Sequence, residues 1–334
     1  MMLSTEVIQK LKAKKNLLAF SAGVDSTALF FLLLDFDIPF DIAIVDYELR
    51  EQSKEEVAYA QTLASSHNLV CHLLASPKIN TNFEAKAREV RYSFFDSLIS
   101  EFHYENLLTA HHLGDRFEWM LMQFCKGAGC AGLSSMKTIE KRKNHTLIRP
   151  LLAFDKSELQ NYLDAKNKHY FIDESNFDEN IKRNYFRHQH AQPLLASYLE
   201  GIKKSFKYID DDAKELIQDV EILTKEDFSY FKASTIRSDI YHIDKYFKSL
   251  SIIISAKERK LLELQNSLVI SRKYIVTWHK GFVFIALFYD AKNIHMTHLF
   301  KERMRKLHIE PKLRPYFFTH LELFESLALE LPLQ

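Results

Sequence analysis

The sequence predicts an α/β fold with a doubly wound, mostly parallel sheet, followed by a smaller second domain. Four short apolar runs, at residues 17–20, 41–46, 69–74 and 106–110, alternate with helical patterns. Strands and helices that alternate at this spacing indicate parallel strands joined by right-handed crossovers. The length of 334 residues favours about two domains.

Each interval between the apolar runs has a helical pattern. Residues 27–34 are continuously apolar, and Ser53 to Glu56 has the form of a capping box that opens a helix towards Ser66. Residues 83–102 and 115–126 predict two further helices. Later in the chain, Asp155 to Glu158 caps another helix, and residues 185–199 are helical again.

The remaining sequence predicts a linker and a small α+β domain. We place the N-terminal domain at residues 1–199, a helical linker at 200–230 and the C-terminal domain at 231–334. In the last of these, helical patterns precede two strand patterns, 268–277 and 282–288, joined at 278–281.

Composition is that of an ordinary globular protein, with 47% hydrophobic and 27% charged residues. No apolar run is long enough to span a membrane, and the first residues lack the apolar core of a signal peptide. The three cysteines form neither a CxxC pair nor an even disulfide framework. We therefore expect a cytoplasmic protein.

The charge is close to balanced but unevenly spread. A net charge of +1 argues against a protein that binds polyanions along its whole surface. Basic residues collect in three stretches, 137–149, 182–187 and 301–314. Several local patches suit a structured nucleic acid held at several points, although any single patch could be the solvated face of a helix.

The most informative segment is residues 21–26, between the first strand and the helix that follows it. Backbone N–H groups at a helix start and the hydroxyls of Ser21 and Ser26 form a cradle for phosphate. Asp25 would repel phosphate unless it holds Mg²⁺ or a polar group of a nucleotide. The alternative is an ordinary strand-to-helix turn with an N-cap residue.

Residues 127–132 spell G-x-G-x-x-G but do not predict a dinucleotide site. That motif requires a strand before it and a helix after it, whereas a helical pattern precedes it here. A glycine-rich loop that ends a helix and contacts substrate through its backbone, with Gly127 and Gly129, fits better.

Several charged side chains recur at helical spacing. Asp115 and Glu118 share one helix face, as do Arg88 and Arg91. The acids could receive an ammonium group, a metal or a proton, and the guanidinium groups could hold phosphate or a base edge. Acids at a helix start and charge pairs on a surface helix are the alternatives.

The phosphate loop, Asp46 and His111 all follow strand ends. In a parallel sheet, ligands bind beyond the carboxyl ends of the strands. We therefore expect these three features to converge on one crevice.

Together these motifs resemble the tRNA(Ile)-lysidine synthetases of the N-type ATP pyrophosphatase, or PP-loop, superfamily, over about residues 17–193. The matching segments, in family notation, are SGGxDS at Ser21–Ser26, VDHxLR at Val45–Arg50, ARxxRY at Ala87–Tyr92, TAHHxDDQxET at Thr109–Trp119, GxGxxGL at Gly127–Leu133, RPLL at Arg149–Leu152, and DESN at Asp173–Asn176 with Arg183, Asn184 and Arg187. The departures are Ala22 for glycine, Tyr47 for histidine, and Gly114, Arg116 and Trp119 in the fourth motif.

The resemblance implies an adenine nucleotide alpha hydrolase-like fold and an ATP-dependent ligase. ATP with Mg²⁺ would adenylate cytidine 34 in the CAU anticodon of tRNA(Ile), and free L-lysine would displace AMP to form lysidine. No structural metal is implied, and a homodimer is one possible assembly. The alternatives are a PP-loop tRNA thiolase, another adenylating ligase such as NAD or GMP synthetase, and a non-enzymatic RNA- or nucleotide-binding module.

The resemblance also implies roles for individual residues. The catalytic set is Asp25, His111, Asp115 and Glu118. The ATP-binding set is Ser21, Ala22, Gly23, Val24, Asp25, Ser26, Asp46, Gly127 and Gly129, with Asp25 as the Mg²⁺ ligand. The set for cytidine, lysine and the tRNA body is Arg88, Arg91, Asp115, Glu118, Arg183, Arg187, Arg303, Arg305 and Lys306.

Overall fold

The computed structural model describes residues 2–47, 52–79, 81–134, 136–172 and 182–331. Packing divides the chain into two compact units, Met1–Ile209 and Asp210–Gln334. The division falls ten residues after the predicted end of the N-terminal domain.

The first unit is built on a six-stranded sheet. Its strands are β1 (Asn16–Ala19), β2 (Asp41–Asp46), β3 (Cys71–Ala75), β4 (Asn106–Leu108), β5 (Ile139–Lys141) and β6 (Thr146–Ile148). Their order is β3-β2-β1-β4-β6-β5, and among these described strands only the edge strand β5 is antiparallel to its neighbour. The chain runs outward from β1 to β3 and then crosses back to β4. This confirms the doubly wound, mostly parallel sheet and places the reversal of strand order between β1 and β4.

Helices cover both faces of this sheet. The helices up to Leu216, the last of which ends beyond the first unit, are α1 (Thr5–Lys12), α2 (Val24–Asp35), α3 (Gln52–Ser66), α4 (Phe83–Phe102), α5 (Leu113–Phe124), α6 (Cys130–Leu133), α7 (Lys156–Ala165), α8 (Lys182–Phe186) and α9 (Gln192–Leu216), with a π-helical turn at Arg187–Ala191. Helix α2 is buried on nearly all sides and packs with α7 in the largest apolar cluster, which explains its continuous apolar sequence. Helix α4 packs in a separate cluster with Leu17 and Leu107.

The second unit has a five-stranded antiparallel sheet in the order β7-β8-β11-β10-β9. Its strands are β7 (Leu223–Lys225), β8 (Phe228–Lys232), β9 (Ser267–Ile270), β10 (Tyr274–His279) and β11 (Phe282–Leu287). Its helices are α10 (Ile236–Ser249), α11 (Ala256–Leu264), α12 (His298–Lys306), α13 (Arg314–Thr319) and α14 (Leu321–Glu330). The predicted α+β character of this region is confirmed.

Two boundaries in this region differ from the sequence expectation. The predicted helical linker is helical only to Leu216, because the apolar residues of β8 are buried in the second sheet. The predicted strand 268–277 is two strands, because Ser271 and Arg272 both have left-handed backbone angles (φ 51° and 55°) that turn the chain between β9 and β10.

No helix in the described part of the chain is both long enough and apolar enough to cross a membrane.

Candidate active site

A cleft of about 620 Å³ opens at the carboxyl ends of β1 and β4. It lies where the strand order reverses, since the loops after these two strands leave towards opposite sides of the sheet. Its volume is in the usual range for a small-molecule site. The predicted site residues that line it are Ser21, Gly23, Val24, Asp25, Ser26, Asp46, Arg88, Arg91, His111, Asp115 and Arg187.

The loop between β1 and α2 presents the start of a helix to this cleft. Gly23 is the N-cap of α2, and the Ser26 hydroxyl accepts from the backbone N–H of Ser21 at 3.2 Å and donates to the Gly23 carbonyl at 3.2 Å. The two serine hydroxyl oxygens are 3.2 Å apart. The loop is therefore closed by its own hydroxyls, and the positive end of the α2 dipole faces the cleft.

Ala22, the departure from glycine in the loop, has a left-handed backbone (φ 58°). Its methyl group is fully buried in the apolar cluster around α2, and its carbonyl accepts from the backbone N–H of Phe171 at 2.9 Å. Unlike its neighbours Ser21 and Gly23, Ala22 does not line the cleft. Its contribution there comes from the turn that it makes.

Asp25 lies in the first turn of α2 and lines the cleft. Its Oδ1 atom is buried and has no hydrogen-bond partner among the described residues. Burial raises the pKa of Asp25 above its usual range, while the nearby His112 opposes that rise. A buried carboxylate oxygen without a protein donor is a suitable ligand for a divalent cation.

Asp115 and Glu118 of α5 form a compact network with two arginines. Arg183 donates to Asp115 Oδ1 at 2.6 Å and to Glu118 Oε2 at 3.1 Å. Arg187 donates to Glu118 Oε1 at 2.6 Å and Oε2 at 3.2 Å, and lies 3.6 Å from Asp115 Oδ1. The structure thus brings together four predicted residues from two segments that lie about 70 positions apart in the sequence.

The two acids differ in their access to the cleft. Glu118 is only 2% exposed and does not line the cleft, and both of its oxygens accept from guanidinium groups. Asp115 does line it. Burial alone would raise the pKa of Asp115, but the His112 ring and the Arg183 guanidinium hold that pKa well below its usual range. Asp115 is therefore ionised. Its Oδ1 accepts from Arg183 and its Oδ2 from the backbone N–H of His112, and unlike Glu118 it lines the cleft.

His111 lines the cleft after β4, and its Nδ1 atom lies 2.9 Å from the Thr109 hydroxyl. Burial lowers the pKa of His111 to about 4. The ring is therefore neutral near pH 7, and it can donate one hydrogen bond without carrying a charge.

Arg88 and Arg91 both line the cleft, as their shared helix face predicted. The Arg88 guanidinium lies over the ring of Tyr92, 4.6 Å from its centre. Tyr47, which replaces the histidine of the family motif, donates from its hydroxyl to the Ala87 carbonyl at 3.0 Å. The end of β2 is thus attached to the helix that bears the two arginines.

The departures at Gly114 and Arg116 do not add charge to the cleft. Arg116 is 7% exposed, and its guanidinium lies 4.2 Å from the centre of the Phe206 ring of α9. Gly114 is buried rather than facing solvent, and it packs against the ring of His112. Neither residue lines the cleft.

Some predicted residues lie elsewhere. Gly127 follows the end of α5 in a left-handed conformation (φ 77°), and Gly129 is the N-cap of α6. Neither lines the cleft, so their assignment to ATP stays a prediction. Residues 48–50 and 173–176 of the family motifs lie outside the described residues.

In the second unit, Arg303, Arg305 and Lys306 lie in the last turn of α12. Arg303 forms a bidentate ion pair with Glu325, and Lys306 lies 3.4 Å from Glu302. The patch is therefore less positive than its sequence indicated.

Several residues that line the cleft were not predicted. They include Lys156 and Gln160 of α7, His188 and Gln192 in and after the π-helical turn, and Tyr170 and Phe171. A signal existed for Lys156, because a lysine directly after an N-cap aspartate lies at a helix start. The π-helical turn gave no sequence signal, although such turns often mark functional sites.

Comparisons with known proteins agree with this arrangement. A family model described as a PP-loop domain matches residues 3–194. The tRNA(Ile)-lysidine synthase of Helicobacter pylori is 40% identical over 313 residues, which cover 93% of this chain and 92% of that protein. The enzyme of the same name from Campylobacter jejuni is 35% identical over 328 residues, covering 96% and 97%.

A solved structure shares the fold. The U34-tRNA thiolase from Methanococcus maripaludis, described with its [4Fe-4S] cluster, superposes with a TM-score of 0.52 over 66% of this chain and 78% of its own, at 15% identity. That identity supports a shared fold only. From the PP-loop domain and the full-length relatives, the chain belongs to the tRNA(Ile)-lysidine synthase family of ATP-using ligases.

Proposed function

We propose that this protein joins free L-lysine to C2 of cytidine 34 in tRNA(Ile) with a CAU anticodon. ATP first adenylates O2 of the cytidine and releases pyrophosphate, and the ε-amine of lysine then attacks C2 and displaces AMP. The observation that carries the proposal is the single cleft in which the PP-loop, an ionised Asp115 and two arginines of α4 meet.

The ATP side of the cleft suits pyrophosphate as a leaving group. The start of α2 and the hydroxyls of Ser21 and Ser26 offer N–H and O–H donors to the β- and γ-phosphates. Across the cleft, neutral His111 can donate to an α-phosphate oxygen as negative charge develops there. The two groups follow the adjacent strands β1 and β4, so they approach the bound nucleotide from the same edge of the sheet.

Asp25 is the residue that fits Mg²⁺. Its buried Oδ1 atom lacks a hydrogen-bond partner among the described residues, and a cation would satisfy it. Mg²⁺ bound with ATP would neutralise phosphate charge. The carboxylate would also be favoured in its ionised form, against the effect of burial on its pKa.

Asp115 suits an ammonium group of the lysine substrate. It is ionised, it lines the cleft, and its low pKa makes it a weak base. Because the lysine amine is protonated in water at neutral pH, such a carboxylate binds the ammonium form better than it removes the proton. The ε-amine would attack C2 in its neutral form, and its protons would be released to solvent as AMP leaves. Glu118, with both oxygens held by Arg183 and Arg187, would keep this network rigid rather than touch substrate.

The RNA side would use positive charge. Arg88 and Arg91 project into the cleft from α4 and can hold the cytidine or its phosphate. In the second unit, the last turn of α12 would contact the tRNA body through Arg303, Arg305 and Lys306. Elongator tRNA(Met) has the same anticodon, so its rejection must depend on bases outside the anticodon.

The direct test is ATP-dependent incorporation of radiolabelled lysine into a tRNA(Ile) transcript with a CAU anticodon. We expect incorporation that disappears without ATP and when cytidine 34 is changed to uridine. Release of pyrophosphate without lysine incorporation would show that the cleft uses ATP for another acceptor, and would refute the proposal.

Replacement of Asp25 by alanine separates the ATP side from RNA binding. We expect Asp25→Ala to abolish turnover, because the cation ligand at the α2 start is lost, while tRNA affinity stays within about twofold. Filter binding with the same transcript measures the second quantity. A strong loss of tRNA affinity would contradict the assignment of Asp25 to ATP and Mg²⁺.

The thiolase alternative has less support. The described cysteines are dispersed: Cys71 lies in β3, packed against the main apolar cluster, whereas Cys130 begins α6 and Cys125 is exposed at the end of α5. Burial raises the pKa of Cys71, which lowers its reactivity. The lysine assay decides between the two functions, because a thiolase would transfer sulfur instead.

A further inference from the structure

The Nε2 atom of His112 has no role in the reaction proposed above, although it lies near two carboxylates of the cleft. His112 is the N-cap of α5 and is 6% exposed. Its ring Nδ1 accepts from the backbone N–H of Gly114 at 3.0 Å, and its own backbone N–H donates to Asp115 Oδ2 at 3.0 Å. Because Nδ1 accepts, the hydrogen of the neutral ring is on Nε2.

This Nε2–H lies between two carboxylates that serve different substrates in the proposed reaction. It is 3.6 Å from Asp115 Oδ2 and 3.9 Å from Asp25 Oδ2. Both distances exceed a formed hydrogen bond, and contacts of this kind often shorten when substrates bind. His112 lies near Oδ2 of Asp25 and leaves for a cation the Oδ1 atom, which has no hydrogen-bond partner in the described part of the chain. On Asp115 it faces Oδ2, whereas Arg183 holds Oδ1.

Gly114 explains why the ring occupies this place. A Cβ atom at position 114 would lie 2.6 Å from His112 Cε1 and 3.0 Å from Nδ1, so any side chain there would displace the ring. Glycine near a helix start lowers helix stability relative to alanine by up to about 1 kcal/mol. The family motif has aspartate at position 114. With any residue that carries a Cβ atom there, the His112 ring could not lie where it does in this chain.

We propose that His112, seated against Gly114, is a positioning residue that sets the carboxylates of Asp25 and Asp115 relative to each other for the two half-reactions. The inference rests on the proposed function. It assigns no proton transfer to His112: Nδ1 is occupied by the Gly114 N–H, and the N–H on Nε2 orients the cation ligand and the ammonium ligand together. The competing interpretation is that His112 only caps α5.

The test uses Gly114→Ala, His112→Ala, the double variant and His112→Asn in the lysine incorporation assay. Gly114→Ala retains every functional group but moves the ring, so we expect turnover to fall about 10- to 100-fold, with a higher KM for lysine and a higher Mg²⁺ requirement. His112→Ala should lose a similar amount. The double variant should lose no more than His112→Ala alone, since both changes act through one ring.

Two controls separate positioning from folding. Gly201→Ala is the matched control, because a Cβ at this helical glycine of α9 meets nothing within 4 Å, and it should retain full turnover. His112→Asn retains an N-cap acceptor but cannot reach the two carboxylates. We expect it to keep thermal stability and tRNA affinity and to lose turnover.

Three outcomes would overturn the inference. They are full activity of His112→Asn, full activity of Gly114→Ala, and a loss from Gly114→Ala that persists undiminished in the His112→Ala background. Failure of the proposed function itself would be seen separately, as absence of ATP-dependent lysine incorporation by the unaltered protein.

Discussion

The buried network of Asp115, Glu118, Arg183 and Arg187 makes the sharpest stability prediction. Arg187→Met removes the bidentate partner of Glu118 and leaves Arg183 as its remaining guanidinium contact, at 3.1 Å. The side chains of Arg187 and Glu118 are 15% and 2% exposed, so the carboxylate left behind stays out of water. Breaking a buried pair in this way costs about 3–5 kcal/mol. Because Arg183 remains, we expect a loss at the lower end, about 3 kcal/mol.

The chain offers a matched control with the same chemistry at the surface. Arg303 and Glu325 form a bidentate pair on α12 and α14, but their side chains are 46% and 51% exposed. Solvent screens this pair and hydrates the carboxylate left behind. Arg303→Met should therefore cost no more than about 1 kcal/mol.

Urea denaturation can measure both effects, because each compact unit contains one of the two tryptophans. Trp119 fluorescence reports the first unit in a Trp278→Phe background, and Trp278 reports the second in a Trp119→Phe background. A loss below about 1 kcal/mol for Arg187→Met, equal to that of Arg303→Met, would refute the conclusion that burial makes the Glu118 network structurally essential.

Three further predictions follow from individual residues. Since the folded pKa of His111 is about 4 and the unfolded value is 6.5, the neutral ring stabilises the fold above pH 6.5, and up to about 3 kcal/mol is lost as pH falls towards 4; an unaltered pH profile in His111→Gln would contradict this. Ala22→Gly relieves about 1–2 kcal/mol of left-handed strain but loses a buried methyl group and frees the unfolded chain, so thermal unfolding should show a change under about 1 kcal/mol. A gain in the free energy of unfolding of about 2 kcal/mol or more would contradict this, because the lost methyl group and the freer unfolded chain would then not offset the relieved strain. Changing Arg303, Arg305 and Lys306 to glutamine should weaken tRNA binding and reduce its salt slope by up to about 3; unchanged affinity would remove this patch from the tRNA contact.

The alternation of strand and helix was enough to predict the N-terminal sheet. The spacing of apolar residues differs between helices and strands, and this spacing can be seen in a short stretch of sequence. Helix α4 has the bounds that were predicted, and α5 begins two residues earlier than predicted, at Leu113. The linker prediction failed beyond Leu216. The first residues of the segment 223–232 are polar and have a helix-like sequence. Strand β8 forms because it pairs with β11, which lies about 50 residues later in the chain.

The candidate site divides in the same way. Convergence of the PP-loop, Asp46 and His111 followed from topology, because loops after parallel strands share one edge of the sheet. The pairing of Glu118 with Arg187, and the burial of Arg116 against Phe206, join segments that are far apart in the sequence. No local sequence pattern predicts which side chains of α5 contact residues of the segment from α8 to α9.

The sequence by itself therefore determined the fold class, the phosphate loop and the family, because these depend on local periodicity and on motifs of fixed spacing. The tertiary structure decided which of the two acids of α5 lines the cleft. Asp115 lines the cleft, whereas Glu118, three residues later on the same helix, is closed by two guanidinium groups. Burial and long-range pairing set that difference, and both arise only when distant segments pack together.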